Sequence, residues 1–175
     1  VIYDHYDDLE MSSARREDHE RLVREADLVL ASSQRLFDQI QDRRDDALLI
    51  PNAVDYAWVQ RCRPSGAEEP PRDLQSNVEG QAIIGFVGAV ASWVDYDLLS
   101  AMAHQHPDWS VVLIGSDYDG SWQDSGLGDV SNLHWLGWRP YEALFSYMWR
   151  FDAAIIPFVV DEMTAAFSPV KLYEY

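Results

Sequence analysis

Lysine, cysteine and long apolar runs are all scarce in this sequence, and each shortage removes a class of function. Cys62 is the one cysteine, so no internal disulfide can form and packing must hold the fold, as suits a reducing, cytoplasmic compartment. The longest mainly apolar stretch, Ala82 to Val94, is interrupted by Gly85, Gly88 and Ser92 and is far too short to cross a bilayer. Lysine and arginine together number 13 against 30 acidic residues, a net charge of −17. That balance excludes a nucleic-acid partner, because binding a phosphate backbone requires clustered cations that release counterions. It also disfavours direct adsorption to an anionic leaflet, and an acidic surface is equally what a salty habitat selects. Apolar side chains, by contrast, are ample: 47% of residues are hydrophobic and 13% aromatic, enough for a packed core.

The pattern along the chain alternates short apolar runs with amphipathic stretches. Val1 to Tyr3 reads as a strand, Ser13 to Glu25 as a helix and Asp27 to Ala31 as a second strand. Ser33 can cap a helix carrying Leu36, Phe37 and Ile40 on one face, and Ala47 to Ile50 makes another strand, ended by Pro51. Strand, helix, strand order of this kind predicts a parallel sheet with helical crossovers. From Arg61 to Gly80 the composition shifts to Pro, Glu, Gly, Ser and Arg, which predicts an interdomain connection. The alternation then resumes with strands at Ala82–Val87, Ser110–Ile114, Leu133–Leu136 and Ala153–Ile156 and helices at Asp95–Gln105 and Tyr141–Trp149. In the last helix Tyr141, Leu144, Phe145 and Met148 fall at i, i+3, i+4 and i+7. The expected organisation is residues 1–60 as the end of one domain, 61–80 as a linker and 81–175 as the start of a second. Val1 opens inside a strand and Tyr175 closes inside a helical pattern without a stop signal, so the chain is expected to be part of a longer protein.

Chemistry concentrates in Ser168-Pro169-Val170-Lys171-Leu172-Tyr173-Glu174-Tyr175. Ser168 suits an N-cap and Pro169 a first helical position, so the helix is expected to begin there. Lys171 then lies in the first turn, where the helix dipole disfavours a cation and a capping box would place Glu or Gln. A bound diphosphate removes the conflict, because free N–H groups, dipole and ammonium would converge on one anion. Glu174, one turn on, can accept hydrogen bonds from paired sugar hydroxyls. Lys171 is also the only lysine beside twelve arginines. The plain alternative is an i, i+3 ion pair on a solvated face, worth about 0.2–0.5 kcal/mol, and local spacing leaves the two readings even. Asp95-Tyr96-Asp97 and Asp117-Tyr118-Asp119 match an Asp-x-Asp metal-diphosphate pattern, although Asp95 also serves as a helix cap.

Ile155-Ile156-Pro157-Phe158 followed by Ser168 to Tyr175 resembles the donor-binding motif of the family 4 glycosyltransferases, which have the GT-B fold. Tyr3-Asp4, Ala26 to Val29, Pro51 to Asp55, Gly85 to Gly88, Trp93 to Leu99, and Leu136-Gly137 with Pro140-Tyr141 agree with that family in order and spacing. The resemblance implies an α/β chain with two Rossmann-like doubly wound parallel-sheet domains, both incomplete here. It further implies a hexosyltransferase that moves a sugar, with retention, from a nucleotide-diphosphate sugar to a glycan or lipid-linked acceptor in cell-surface polysaccharide synthesis. No cofactor or metal is expected, the nucleotide-sugar being a substrate, and this portion alone is expected to be inactive. Any peripheral attachment at the inner membrane face would run through regions outside it.

By the same carry-over Lys171 meets the diphosphate, Glu174 the ribose, and Ser168 and Val170 wrap the phosphates. Gly88 lets its loop approach the donor, and the backbone at Trp138 and Arg139 borders the base. His5 and Asp8 follow the opening strand, where parallel-sheet enzymes place chemistry, so His5 is read either as a catalytic group or as an exposed loop histidine. Two departures from the pattern stand out: Ala166 occupies the position of a usual Glu, with Asp161 or Glu162 as substitutes, and Ala89 to Val94 offers no cation. Two alternatives stay open: a GT-B epimerase acting on the nucleotide-sugar, with His5 and the nearby carboxylates as its acid and base candidates, and a degenerate nucleotide-sugar binding subunit, which these departures support.

Overall fold

The computed structural model describes residues 1–6, 13–65, 69–78 and 81–175. Two compact units make up the chain: Val1–Ala53 with Val160–Val170, and Val54–Val159 with Lys171–Tyr175.

The first unit holds a parallel sheet of three strands, β1 (Ile2–His5), β2 (Leu28–Ala31) and β3 (Leu48–Leu49), in that order. Helix α1 (Ser13–Glu25) crosses from β1 to β2, and α2 (Gln34–Gln41) from β2 to β3. Ser33 caps α2 as its sequence predicts, accepting a hydrogen bond from the Leu36 amide. Val23, Val29, Leu36 and Ile40 form the core, joined by Ala166 from a short 3-10 turn, Thr164–Ala166. Ala166 is only 1% exposed, so its position is a packing position of this unit.

The second unit is doubly wound. Its four parallel strands, β4 (Ala82–Val87), β5 (Trp109–Ile114), β6 (Leu133–Trp135) and β7 (Ala153–Ala154), lie in the order β6-β5-β4-β7. Side chains alternate along the strands, as a pleated sheet demands. Phe86, Val111 and Leu113 face one layer with Leu99 and Ala103 of α5 (Tyr96–Gln105). Ile83, Val87, Val112 and Ile114 face the other, with Tyr147 of α7 (Tyr141–Met148) and Leu74 and Val78 of α4 (Arg72–Val78). Two smaller helices, α3 (Tyr56–Arg61) and α6 (Ser121–Asp124), also belong here. Asp95 caps α5 by accepting from the Leu98 amide. Among the described residues, no helix is long and apolar enough to cross a membrane.

Two expectations change. The stretch 61–80, read as a connection, contains α4, whose Leu74 and Val78 are buried at 1% and 7% exposure in the second unit's core. Two apolar residues four apart make a helix stripe, and a polar composition conceals it. The last helix, α8, spans Lys171–Glu174 and so starts after the expected Ser168-Pro169 cap. The Ser168 carbonyl instead accepts a hydrogen bond from Asn52 Nδ2 at 2.6 Å.

Candidate functional site

Strand order locates the site before any side chain does. β4 is flanked by β5 on one side and β7 on the other, so the chain reverses its direction of winding at β4. In open α/β sheets the crevice at the carboxyl ends beside such a switch point is where ligands bind. Gly88 follows β4 immediately and anchors this end: its amide donates to Ile114 O at 2.9 Å, and the Gly115 amide donates to Gly137 O at 3.0 Å.

Over Gly88 runs the side chain of Lys171. A Cβ at Gly88 would lie 2.1 Å from Lys171 Cε and 2.6 Å from Nζ, so the missing methyl group is the space that the lysine occupies. The ammonium lies over the rings of Phe86 and Phe158, 5.7 and 5.9 Å from their centroids, a favourable cation–π placement. Among the described residues Lys171 makes no ion pair, and no hydrogen bond of its Nζ is found. Burial pushes its pKa down, and the nearby Glu174 charge only partly opposes this. The cation is thus desolvated and held over apolar rings, with no hydrogen-bond acceptor for its ammonium among the described residues.

Glu174 points elsewhere, its Oε1 accepting a hydrogen bond of 2.6 Å from the Tyr141 hydroxyl. Helix α8 is fixed by Tyr175, whose hydroxyl accepts from the Val87 amide at 3.0 Å, at the end of β4. The outer part of Tyr175 is exposed, but burial around its hydroxyl pushes its pKa up to about 12. The plain i, i+3 ion pair between Lys171 and Glu174 is therefore not formed: one side chain is turned onto the phenylalanines and the other onto a tyrosine.

The remaining predicted residues scatter. Trp138 is 65% exposed. Arg139 is committed to its own unit: its guanidinium pairs with Asp73 of α4, Nε donates to Tyr147 Oη at 3.0 Å and Nη1 to Trp138 O at 2.7 Å. Its charge thus braces the loop after β6, and only backbone and Trp138 remain to meet a ligand. Ser168 and Val170 fall in the first unit. So does Asp161, whose Oδ1 accepts from the Thr164 amide at 2.8 Å as a turn cap. His5 ends β1 but is 2% exposed, with Nε2 3.3 Å from Gln39 Oε1 and its ring 4.6 Å from that of His19. The exposed-loop reading of His5 is overturned, because the strand extends through it and carries it inside. Asp8 lies outside the described residues.

The second Asp-x-Asp turns its carboxylates onto backbone amides of its own loop and of Ser92. Asp117 Oδ1 accepts from the Gly120 amide at 3.0 Å, and Asp119 accepts from the Ser92 and Ser121 amides at 2.9 and 3.1 Å. Hydrogen bonding from the Ser121 side chain, and then from Ser92, holds the Asp119 carboxyl well below its ordinary range. The pair shapes a loop. Sequence reasoning gave no functional role to Tyr141, Tyr175 or Asp73: the tyrosines read as helix residues, and Asp73 carries no local signal.

No protein-family model matches the chain. It is 26% identical over 162 residues to TuaH of Bacillus subtilis (strain 168), a protein named as a teichuronic acid biosynthesis glycosyltransferase, covering 89% of this chain and 39% of that protein. Among solved structures it matches Anabaena Alr3699/HepE in complex with UDP and glucose, with TM-score 0.64 and 22% identity over 87% of this chain and 45% of that one. It also matches WaaG, a glycosyltransferase involved in lipopolysaccharide biosynthesis, with TM-score 0.63 and 16% identity over 90% of this chain and 50% of that one. The chain thus spans half or less of the length of these proteins. By fold, then, this is part of a GT-B protein, similar in sequence to a glycosyltransferase along nearly nine tenths of its length.

Proposed function

We propose that the full-length protein is a glycosyltransferase that moves a sugar from a nucleoside-diphosphate sugar to a glycan or lipid-linked acceptor. The observation that carries this reading is Lys171, a half-buried ammonium at the switch point of β4 that makes no ion pair among the described residues, the nearby Glu174 carboxylate being turned onto Tyr141. A diphosphate supplies the missing charge, and Glu174 stands one turn away to receive ribose hydroxyls. The neighbouring HepE structures contain UDP and UDP-glucose, which supports a nucleotide-sugar donor. TuaH is named for teichuronic acid biosynthesis and WaaG for lipopolysaccharide biosynthesis, which supports a role in polysaccharide synthesis; the cytoplasmic setting rests on the single cysteine, with any membrane attachment through other regions. Retention and hexosyl transfer rest on the family resemblance, as do the phosphate-wrapping roles of Ser168 and Val170, the base-bordering place of Trp138 and Arg139, and catalysis by His5 and Asp8.

In this mechanism phosphate charge is met by a lysine, so no divalent cation bridges carboxylates to phosphates. Transfer of labelled sugar from UDP-, GDP- or ADP-sugars to an acceptor is therefore expected to survive EDTA. Loss of transfer on chelation with recovery on adding Mn²⁺ would replace this account with a metal-dependent one. A protein that binds the donor without transferring its sugar would be the degenerate binding subunit.

A further inference from the structure

Resting on the ribose role of Glu174, we propose that Tyr141 is a positioning residue for nucleotide recognition, setting the Glu174 carboxylate in the geometry that reads a ribose. The two residues are 33 positions apart, and Tyr141 Oη donates to Glu174 Oε1 at 2.6 Å. A bond from a neutral hydroxyl to a carboxylate is among the stronger kinds, and it keeps one oxygen occupied while the other stays open to a ligand hydroxyl. Without it the carboxylate sits on the last residue of a four-residue helix, where its rotamers are otherwise free and must be ordered on binding.

The hydroxyl is itself held still. The Tyr141 ring stacks on Trp58 of α3 at 5.3 Å between centroids and 8° between planes, and meets Phe145 edge-on at 5.6 Å and 82°. Trp58 also meets Phe145 edge-on, at 5.0 Å and 89°. Three rings from α3 and α7 thus fix where the Tyr141 oxygen lies, and that oxygen fixes Glu174. Burial, reinforced by the Glu174 charge, pushes the Tyr141 pKa up to about 12, so the phenol remains a donor throughout the neutral range. The expected division of labour is that Lys171 supplies affinity for any nucleoside diphosphate, while Tyr141 and Glu174 together discriminate the sugar.

The test compares wild type, Tyr141→Phe, Glu174→Gln and the double variant of the full-length protein by calorimetric titration. The probes are UDP, GDP and ADP and, for whichever wild type binds most tightly, its 2′-deoxy counterpart. Phenylalanine keeps the ring stack and removes only the oxygen. Tyr141→Phe is expected to weaken the ribonucleotide roughly three- to tenfold, the range for one charge-assisted bond acting through a second residue, and to leave the deoxynucleotide unchanged. The double variant should bind no worse than Glu174→Gln alone. If Glu174→Gln loses ribose preference while Tyr141→Phe keeps it, or loses affinity for both nucleotides equally, the positioning role is wrong and the ribose reading stands. If Glu174→Gln binds both nucleotides like wild type, or if wild type binds none of the three, the ribose reading itself fails and this role falls with it.

Discussion

Lys171→Gln is expected to lower affinity for the nucleoside diphosphate about ten- to a hundredfold, the equivalent of roughly 1.5–3 kcal/mol for one charge-assisted contact, without destabilising the empty protein. A structural ion pair would behave oppositely, because removing it lowers stability. Lys171 has no such pair among the described residues, and burial has already lowered its pKa below the ordinary 10.5. The sign of the linkage follows. Between the depressed folded value and 10.5 the unfolded chain binds the proton more readily, so wild-type stability rises as pH rises through that window. Glutamine has no proton to lose, so the variant lacks this rise, and its stability advantage is largest below the window. Melting curves at neutral and alkaline pH, paired with donor titrations, check both halves. A variant that binds donor normally and melts several degrees lower would make Lys171 a structural residue.

Gly88→Ala is expected to produce the same binding defect from the opposite side. An added methyl group would stand 2.1 Å from Lys171 Cε and 2.6 Å from Nζ, distances no real contact tolerates. What it meets is the far end of a flexible side chain, so the lysine swings away and the backbone stays. The third neighbour, Phe86 Cζ, would stand at 3.2 Å, a tight contact with a fully buried ring that adds to the cost. Stability should fall by roughly 1–3 kcal/mol, the scale for a residue with a side chain held in a backbone region that favours glycine. Donor affinity should fall about as far as in Lys171→Gln, roughly tenfold or more, because the ammonium has left its seat. The two changes act through one contact, so the double variant should bind no worse than the single ones. Additive losses in calorimetry would mean that Gly88 serves the donor by its own backbone approach and not by seating Lys171.

Much of this architecture is legible in the sequence, and the limits are physical. Helix α1 begins and ends where its pattern places it, and Ser33 and Asp95 cap as read, because helix ends are decided by neighbours within one turn. Lys171 stands out locally as the one lysine, whereas Gly88 enters through the family resemblance alone, and that the lysine runs over this glycine is visible only in the fold. Three further features were not legible. Helix α4 hides two core residues in a polar stretch, and its Asp73 meets Arg139 66 positions away. Tyr141 reads as one more apolar-face residue of α7, yet its hydroxyl faces a carboxylate 33 positions on. The start of α8 was placed early because Ser168-Pro169 is a good local cap, whereas the Asn52 side chain takes the Ser168 carbonyl. In each case a tertiary partner outweighs the local preference.

The most direct measurement is a crystal structure of the full-length protein with the nucleoside diphosphate it binds most tightly. The account predicts the β-phosphate at the carboxyl end of β4, within hydrogen-bond distance of Lys171 Nζ above Gly88, with a ribose hydroxyl on the Glu174 carboxylate that Tyr141 still holds. A nucleotide bound away from Gly88, with Lys171 left over Phe86 and Phe158 or paired to Glu174, would contradict it.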